Sequence, residues 1–230
     1  MDANIFSFRR FMALLRQDYA NNLPAWIGVP LAMFAAIAVG GYVSLLGGDN
    51  AADYMRSLSA MVSGMGILMM AAMALRMFSK LKGRARAAVY LTLPASHLEK
   101  FLACMVETVV APFVQGAIGV FAAYALLWAT LQPMFAGEQF SLPLMLSYVA
   151  DSALTDIAAM LWVQSVVAMC NVHWSLGKRA TAIGIFLAVC IIEPGRHFLD
   201  PESAIFTYVA LGLTVVHYAI TYVLFSKSRL

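Results

Sequence analysis

The feature that most restricts what this chain can fold into is a succession of long apolar blocks separated by short polar or basic stretches. A helix crosses the roughly 30 Å hydrocarbon layer of a bilayer with about 20 apolar residues. The blocks at residues 24–46, 55–78, 102–131, 144–170 and 204–225 all reach that length. Of the 230 residues, 62% are hydrophobic and 12% charged, and the mean hydropathy is +0.80. That is more apolar surface than one soluble core can hide, so the excess must face lipid. The sequence predicts an all-α, polytopic membrane protein with one transmembrane domain over residues 1–230.

A sixth crossing, fifth in chain order, is expected over residues 180–192. At about 1.5 Å per residue this run covers only roughly 20 Å, too little to cross alone. The stretch from Glu193 to Ser203 that follows contains Pro194, Gly195 and Pro201, which break a helix. Such backbone persists at membrane depth only under cover of protein or water. A short fifth helix with an ordered, partly re-entrant connection to the sixth is therefore predicted.

Residues 1–22 are different in kind. Ile5, Phe8, Phe11, Met12, Leu15 and Tyr19 share one helical arc, with Arg9 and Arg16 along its edge, the pattern of an amphipathic helix lying in the membrane interface. Phe6 and Leu14 fall off the arc. This charged leader is too long for a cleaved signal peptide, and the apolar run behind it exceeds a signal h-region.

Six crossings leave only Arg56 and Arg196, of 15 Lys and Arg, on one side of the membrane. The positive-inside bias then places both termini, and the loops around Arg84 and Lys178, in the cytoplasm. The formal net charge of +3 reports topology rather than nucleic-acid binding, and no nucleic-acid partner is expected.

The sequence has no G-x-x-x-x-G-K-[ST], H-E-x-x-H or G-x-S-x-G motif, so neither an enzyme nor a cofactor or metal site is expected in this chain. Cys104, Cys170 and Cys190 are far apart and form no C-x-x-C pair. Met61, Met65, Met69, Met73 and Met77 recur every fourth residue. Thioethers can bind Cu(I), but a four-residue step drifts around a 3.6-residue helix, so these side chains wind about it and read as adaptable packing. His97 and His173 read as interfacial.

Polar groups inside the spans are costly against lipid and should face the bundle interior, a partner or an aqueous path. These are Glu107 and Gln115 in the third span and Asp151, Asp156 and Gln164 in the fourth. Asp156 lies nearest mid-span. It would serve as a proton relay in an ion-coupled carrier, or else be a buried, protonated acid bonded to Ser152 or a neighbouring helix.

Residues 80–100 read KLKGRARAAVYLTLPASHLEK. Pro94 disfavours helix at Leu93, while Ser96 with Glu99 three residues on makes a capping box that starts a fresh, short helix. The basic run of Lys80, Lys82, Arg84 and Arg86 suits anionic lipid heads. The order of Leu93, Pro94, Ala95, Ser96, Glu99 and Lys100 resembles the "Pro, small, Ser, two variable, Glu" element that precedes the third span in permease subunits of type-2 ABC exporters. The amphipathic leader, the six spans and the broken last connection fit the same resemblance.

The resemblance implies that residues 79–101 form a cytoplasmic coupling loop docking on an ABC ATP-binding subunit. It also implies a second permease subunit as partner, within the cytoplasmic (inner) membrane. An ion-coupled secondary transporter using Asp156 and Glu107, or a non-transporting membrane scaffold or assembly factor, are the alternatives. An intramembrane enzyme ranks last.

Overall fold

A computed structural model of the chain describes residues 6–21, 23–45, 50–77, 93–135, 140–173 and 204–227. The described residues form helices and no strands. In chain order they are α1 (Phe8–Asn21), α2 (Leu23–Ser44), α3 (Ala51–Arg76), α4 (His97–Leu131), α5 (Leu142–His173) and α6 (Ala204–Lys227). Apart from α1, these 5 helices are long and apolar enough to cross a membrane, so the fold is that of an all-α, multi-pass membrane protein. The span expected at 180–192, its connection through Glu193 to Ser203, and the run from Lys80 to Arg86 lie outside the described residues.

Two helix starts differ from the sequence reading, each for a local reason. α3 begins at Ala51 rather than 55, because the Asn50 side chain accepts from the Asp53 amide at 2.9 Å and caps the helix within what reads as a polar loop. The helix expected to be short and separate after Ser96 is instead the opening of α4, which runs unbroken for 35 residues. At about 1.5 Å per residue that is roughly 52 Å, so one end must project beyond the hydrocarbon.

Just before Pro112, α4 opens into a π-helical turn over Val106–Val110. Proline offers no N–H to the carbonyl one turn back, and the helix absorbs the mismatch by widening: the Ala111 N–H bonds to the carbonyl of Val106, and the Thr108 hydroxyl donates to the Cys104 carbonyl at 2.7 Å.

Side-chain pairs give the directions of α2 to α6. Tyr42 meets Thr130, and Gly119 meets Pro30 and Met33, so α2 and α4 run the same way. Ser59 bonds to the carbonyl of Tyr148, Ser63 to Asp156, and Asn171 to the carbonyl of Ala74, making α3 and α5 parallel. Thr155 with Thr207, and Ser165 with His217, set α6 parallel to α5. Ser57 with Ser44, and Met61 with Gly40, run α3 antiparallel to α2. The end of α5 and the start of α6 therefore lie at opposite ends of the bundle.

The core is correspondingly split. Near Asn50, Tyr54, Leu58, Ile37, Tyr124, Leu127 and Met145 pack together. Near Glu99, Ala74, Phe101, Cys104, Val163, Val167 and Phe225 do. Met70, Val109 and Met160 join α3, the π-turn and α5 between them.

Candidate functional site

The Glu99 end gathers three elements that are distant in sequence. Ser96 takes an extended backbone (φ −66°, ψ 157°) and caps α4: its hydroxyl accepts from the Glu99 amide at 3.2 Å, while Glu99 accepts from the Ser96 amide at 2.9 Å. Pro94 precedes this cap, and the Ala95 N–H closes a tight turn onto the carbonyl of Leu93. Phe101, one turn in, packs edge-on against Tyr222 at 5.3 Å and at a tilt against Phe225 at 6.0 Å, and His97 also meets Phe225. The start of α4 is thus held by the end of α6.

Glu99 has a second set of partners from the other side. The Ser7 amide donates to its carboxylate, and Arg10 spans both carboxylate oxygens, with Nη2 to Oε1 at 2.9 Å and Nε to Oε2 at 3.2 Å. The Glu99 side chain is 0% exposed and that of Arg10 29%. A charge this well buried is tolerable because it is paired and fully hydrogen-bonded. Lys100 is buried as well. Within Leu93 to Lys100 the outward-facing residues are Pro94, His97 and Leu98, with Leu93 and Ala95 half-buried and Ser96 buried. Glu99 positions this segment and is covered by α1.

The intramembrane candidates are dispersed. Asp156 is buried and accepts two hydroxyls on one carboxylate oxygen, from Ser63 of α3 at 2.5 Å and from Ser152 of its own helix at 2.7 Å. Glu107 lies half-buried in the π-turn, which meets α3 near Met70, about two turns from Ser63. Gln115 is buried in α4. Asp151 is exposed. Gln164 is fully buried, and neither atom of its amide has a hydrogen-bond partner among the described residues. The methionines of α3 separate as their drift requires: Met61 packs on Gly40 of α2, Met69 on Gly116 of α4, and Met77 in the cluster around Phe225.

Several polar contacts were not anticipated. Asn171 donates to the carbonyls of Ala74 and Leu75, both at 3.2 Å, and so closes the C-terminal turn of α3 from another helix. Its only sequence signal is an amide at the end of an apolar run. The Thr155–Thr207 and Ser165–His217 contacts, at 3.1 and 3.2 Å, were equally silent, because single hydroxyls fit any span. Among the described residues no three His, Cys, Asp or Glu are grouped to hold a metal ion. No protein family, curated protein or solved structure matches the chain.

Proposed function

We propose that this chain is the membrane-spanning permease subunit of an ATP-driven exporter, working as a dimer of permeases with ATP hydrolysed on a separate cytoplasmic ABC subunit. The observation that carries this reading is the LPASHLEK segment. Its proline turn and capping box stand at the mouth of the bundle, braced between α1 and the end of α6, with Pro94, His97 and Leu98 turned outward. A rigid surface at the membrane boundary is what transmission of force from a soluble motor requires. Arg9, Arg10, Arg16, Arg76, Lys100 and Lys227 cluster at this end, while Arg56 stands at the other, which supports a cytoplasmic assignment for it.

Co-purification in mild detergent tests the reading. Replacing His97 with Glu together with Leu98 with Asp alters exposed side chains, at the loss of the His97 ring contact with Phe225. It should leave membrane insertion intact while abolishing association with an ABC ATPase and the substrate-stimulated part of its hydrolysis. Unchanged association would remove the main support for an exporter. A proton-coupled carrier is the competing reading, favoured by the buried Asp156; uptake or efflux that follows a pH gradient without ATP would select it.

A further inference from the structure

Helix α1 has more faces than its apolar arc. Leu14 and Asp18 are buried against the protein, and Arg10 lies on the same flank, reaching Glu99. Next around the helix come Phe8, Met12 and Tyr19, which are 67%, 47% and 46% exposed. Arg9 and Arg16 border that strip, and Ala13, Gln17 and Ala20 complete the turn on the side away from the protein, all of them exposed.

Two observations say what covers the strip. Only Asn22 separates α1 from α2, so α1 cannot leave the level at which the first span emerges from the membrane. At that junction Tyr19 meets Trp26 of α2 edge-on, with ring centroids 4.8 Å apart, and such aromatic pairs favour the headgroup level. The exposed arginines complement a negatively charged surface at the same height.

We propose that α1 docks on the anionic phospholipid headgroups of the bilayer that holds the bundle, and that Arg10 carries its seating to Glu99. Phe8, Met12 and Tyr19 enter the headgroup boundary while Arg9 and Arg16 lie on phosphates. Because Glu99 also closes the cap of α4, the charge of the leaflet sets how firmly Pro94, His97 and Leu98 are held. This holds whether or not an ATPase docks there.

The test is amide exchange on the full chain in nanodiscs of phosphatidylcholine alone, or with about a third phosphatidylglycerol. Backbone amides of α1 should exchange roughly tenfold more slowly in the anionic discs, and those of residues 96–102 should follow. Arg9→Gln with Arg16→Gln should erase the difference. Arg10→Gln should keep the response of α1 but weaken that of the start of α4, which then keeps only the Ser7 amide contact to Glu99. Protection of α3 and α5 reports that each variant is folded, and the wild-type comparison needs no variant. Equal exchange of α1 in the two discs, or a double variant that still responds, overturns the docking. A start of α4 that tracks lipid charge in Arg10→Gln as fully as in the wild type overturns the transmission through Arg10.

Discussion

Helices α2 and α4 run side by side in one direction, and so do α3 and α5, yet the two seams differ in what dominates the contact. Along α2–α4 the contact is backbone on backbone: a Cβ added to Gly119 would lie 2.6 Å from the carbonyl oxygen of Pro30, 2.9 Å from the Met33 Cβ and 3.2 Å from the Phe34 nitrogen. Along α3–α5 the helices are tied by side chains, with Ser63 on Asp156, Ser59 on the Tyr148 carbonyl and Asn171 on the carbonyls of Ala74 and Leu75. Glycine there meets only the tip of a flexible side chain, since a Cβ on Gly66 would strike the end of Met160. Lipid is as apolar as leucine, so burial alone does not drive helices together in a bilayer. Close fit and hydrogen bonding are the remaining sources of attraction: close fit at Gly119 marks the α2–α4 seam, where the Tyr42 and Thr130 hydroxyls also meet at 2.8 Å, while side-chain hydrogen bonds run along α3–α5.

The largest effect should come from breaking the fitted seam. Gly119→Ala places a methyl group against backbone atoms that cannot move independently, and overpacking of that kind costs about 3 kcal/mol. Reversible unfolding in mixed micelles should show the loss directly. A cost below about 1 kcal/mol would mean that α2 and α4 can separate without penalty, and the contrast between the seams would fail.

The bonded seam should be softer. Asp156→Asn keeps an acceptor for one hydroxyl, and interhelical hydrogen bonds in membranes average about 0.6 kcal/mol with a maximum near 1.7. A loss of roughly 1 kcal/mol is expected in the same assay. A cycle of Asp156→Ala with Ser63→Ala isolates the contact: the double variant should lose about 0.6 kcal/mol less than the sum of the two single losses. Strict additivity would show that the 2.5 Å contact contributes nothing to joining α3 with α5.

How far these seams were legible in the sequence follows from the same chemistry. Asp156 stands out in an apolar run because a carboxyl group against lipid is costly, so its burial could be argued from one chain. Its partner could not, since Ser63 resembles every other serine in a span. Gly119 gave no signal, because a glycine acts through what approaches it, and that is fixed by the pairing of helices. α1 shows the same limit. Its arc pointed to an apolar surround, but Leu14 fell off it because it packs on the protein from a flank apart from the exposed Phe8, Met12 and Tyr19, and periodicity does not separate a covered apolar face from an exposed one. The capping box of Ser96 and Glu99 was legible because both its bonds lie within four residues. That Arg10 also binds Glu99 depends on a contact 89 residues away in sequence.

The smallest expected effect sharpens the comparison from outside the seams. Gly64 lies on the exposed face of α3 with Ala60, Leu68 and Ala72, and a Cβ added there meets nothing within 4 Å. Gly64→Ala therefore creates no clash within this chain and removes backbone freedom that folding would otherwise have to restrict, worth about 0.5 kcal/mol in favour of the helix. The variant should unfold at the wild-type detergent concentration or slightly above it. Set beside Gly119→Ala, it holds the chemical change constant and alters only what the methyl group meets, so the difference of about 3 kcal/mol isolates the fitted contact. A marked destabilisation at Gly64 would instead show that this face of α3 is covered in the folded protein. Dilution separates the two ways that could happen: a loss that shrinks as protein concentration falls identifies a second copy on α3, because the clash vanishes once the copies part, whereas a concentration-independent loss places part of the same chain there.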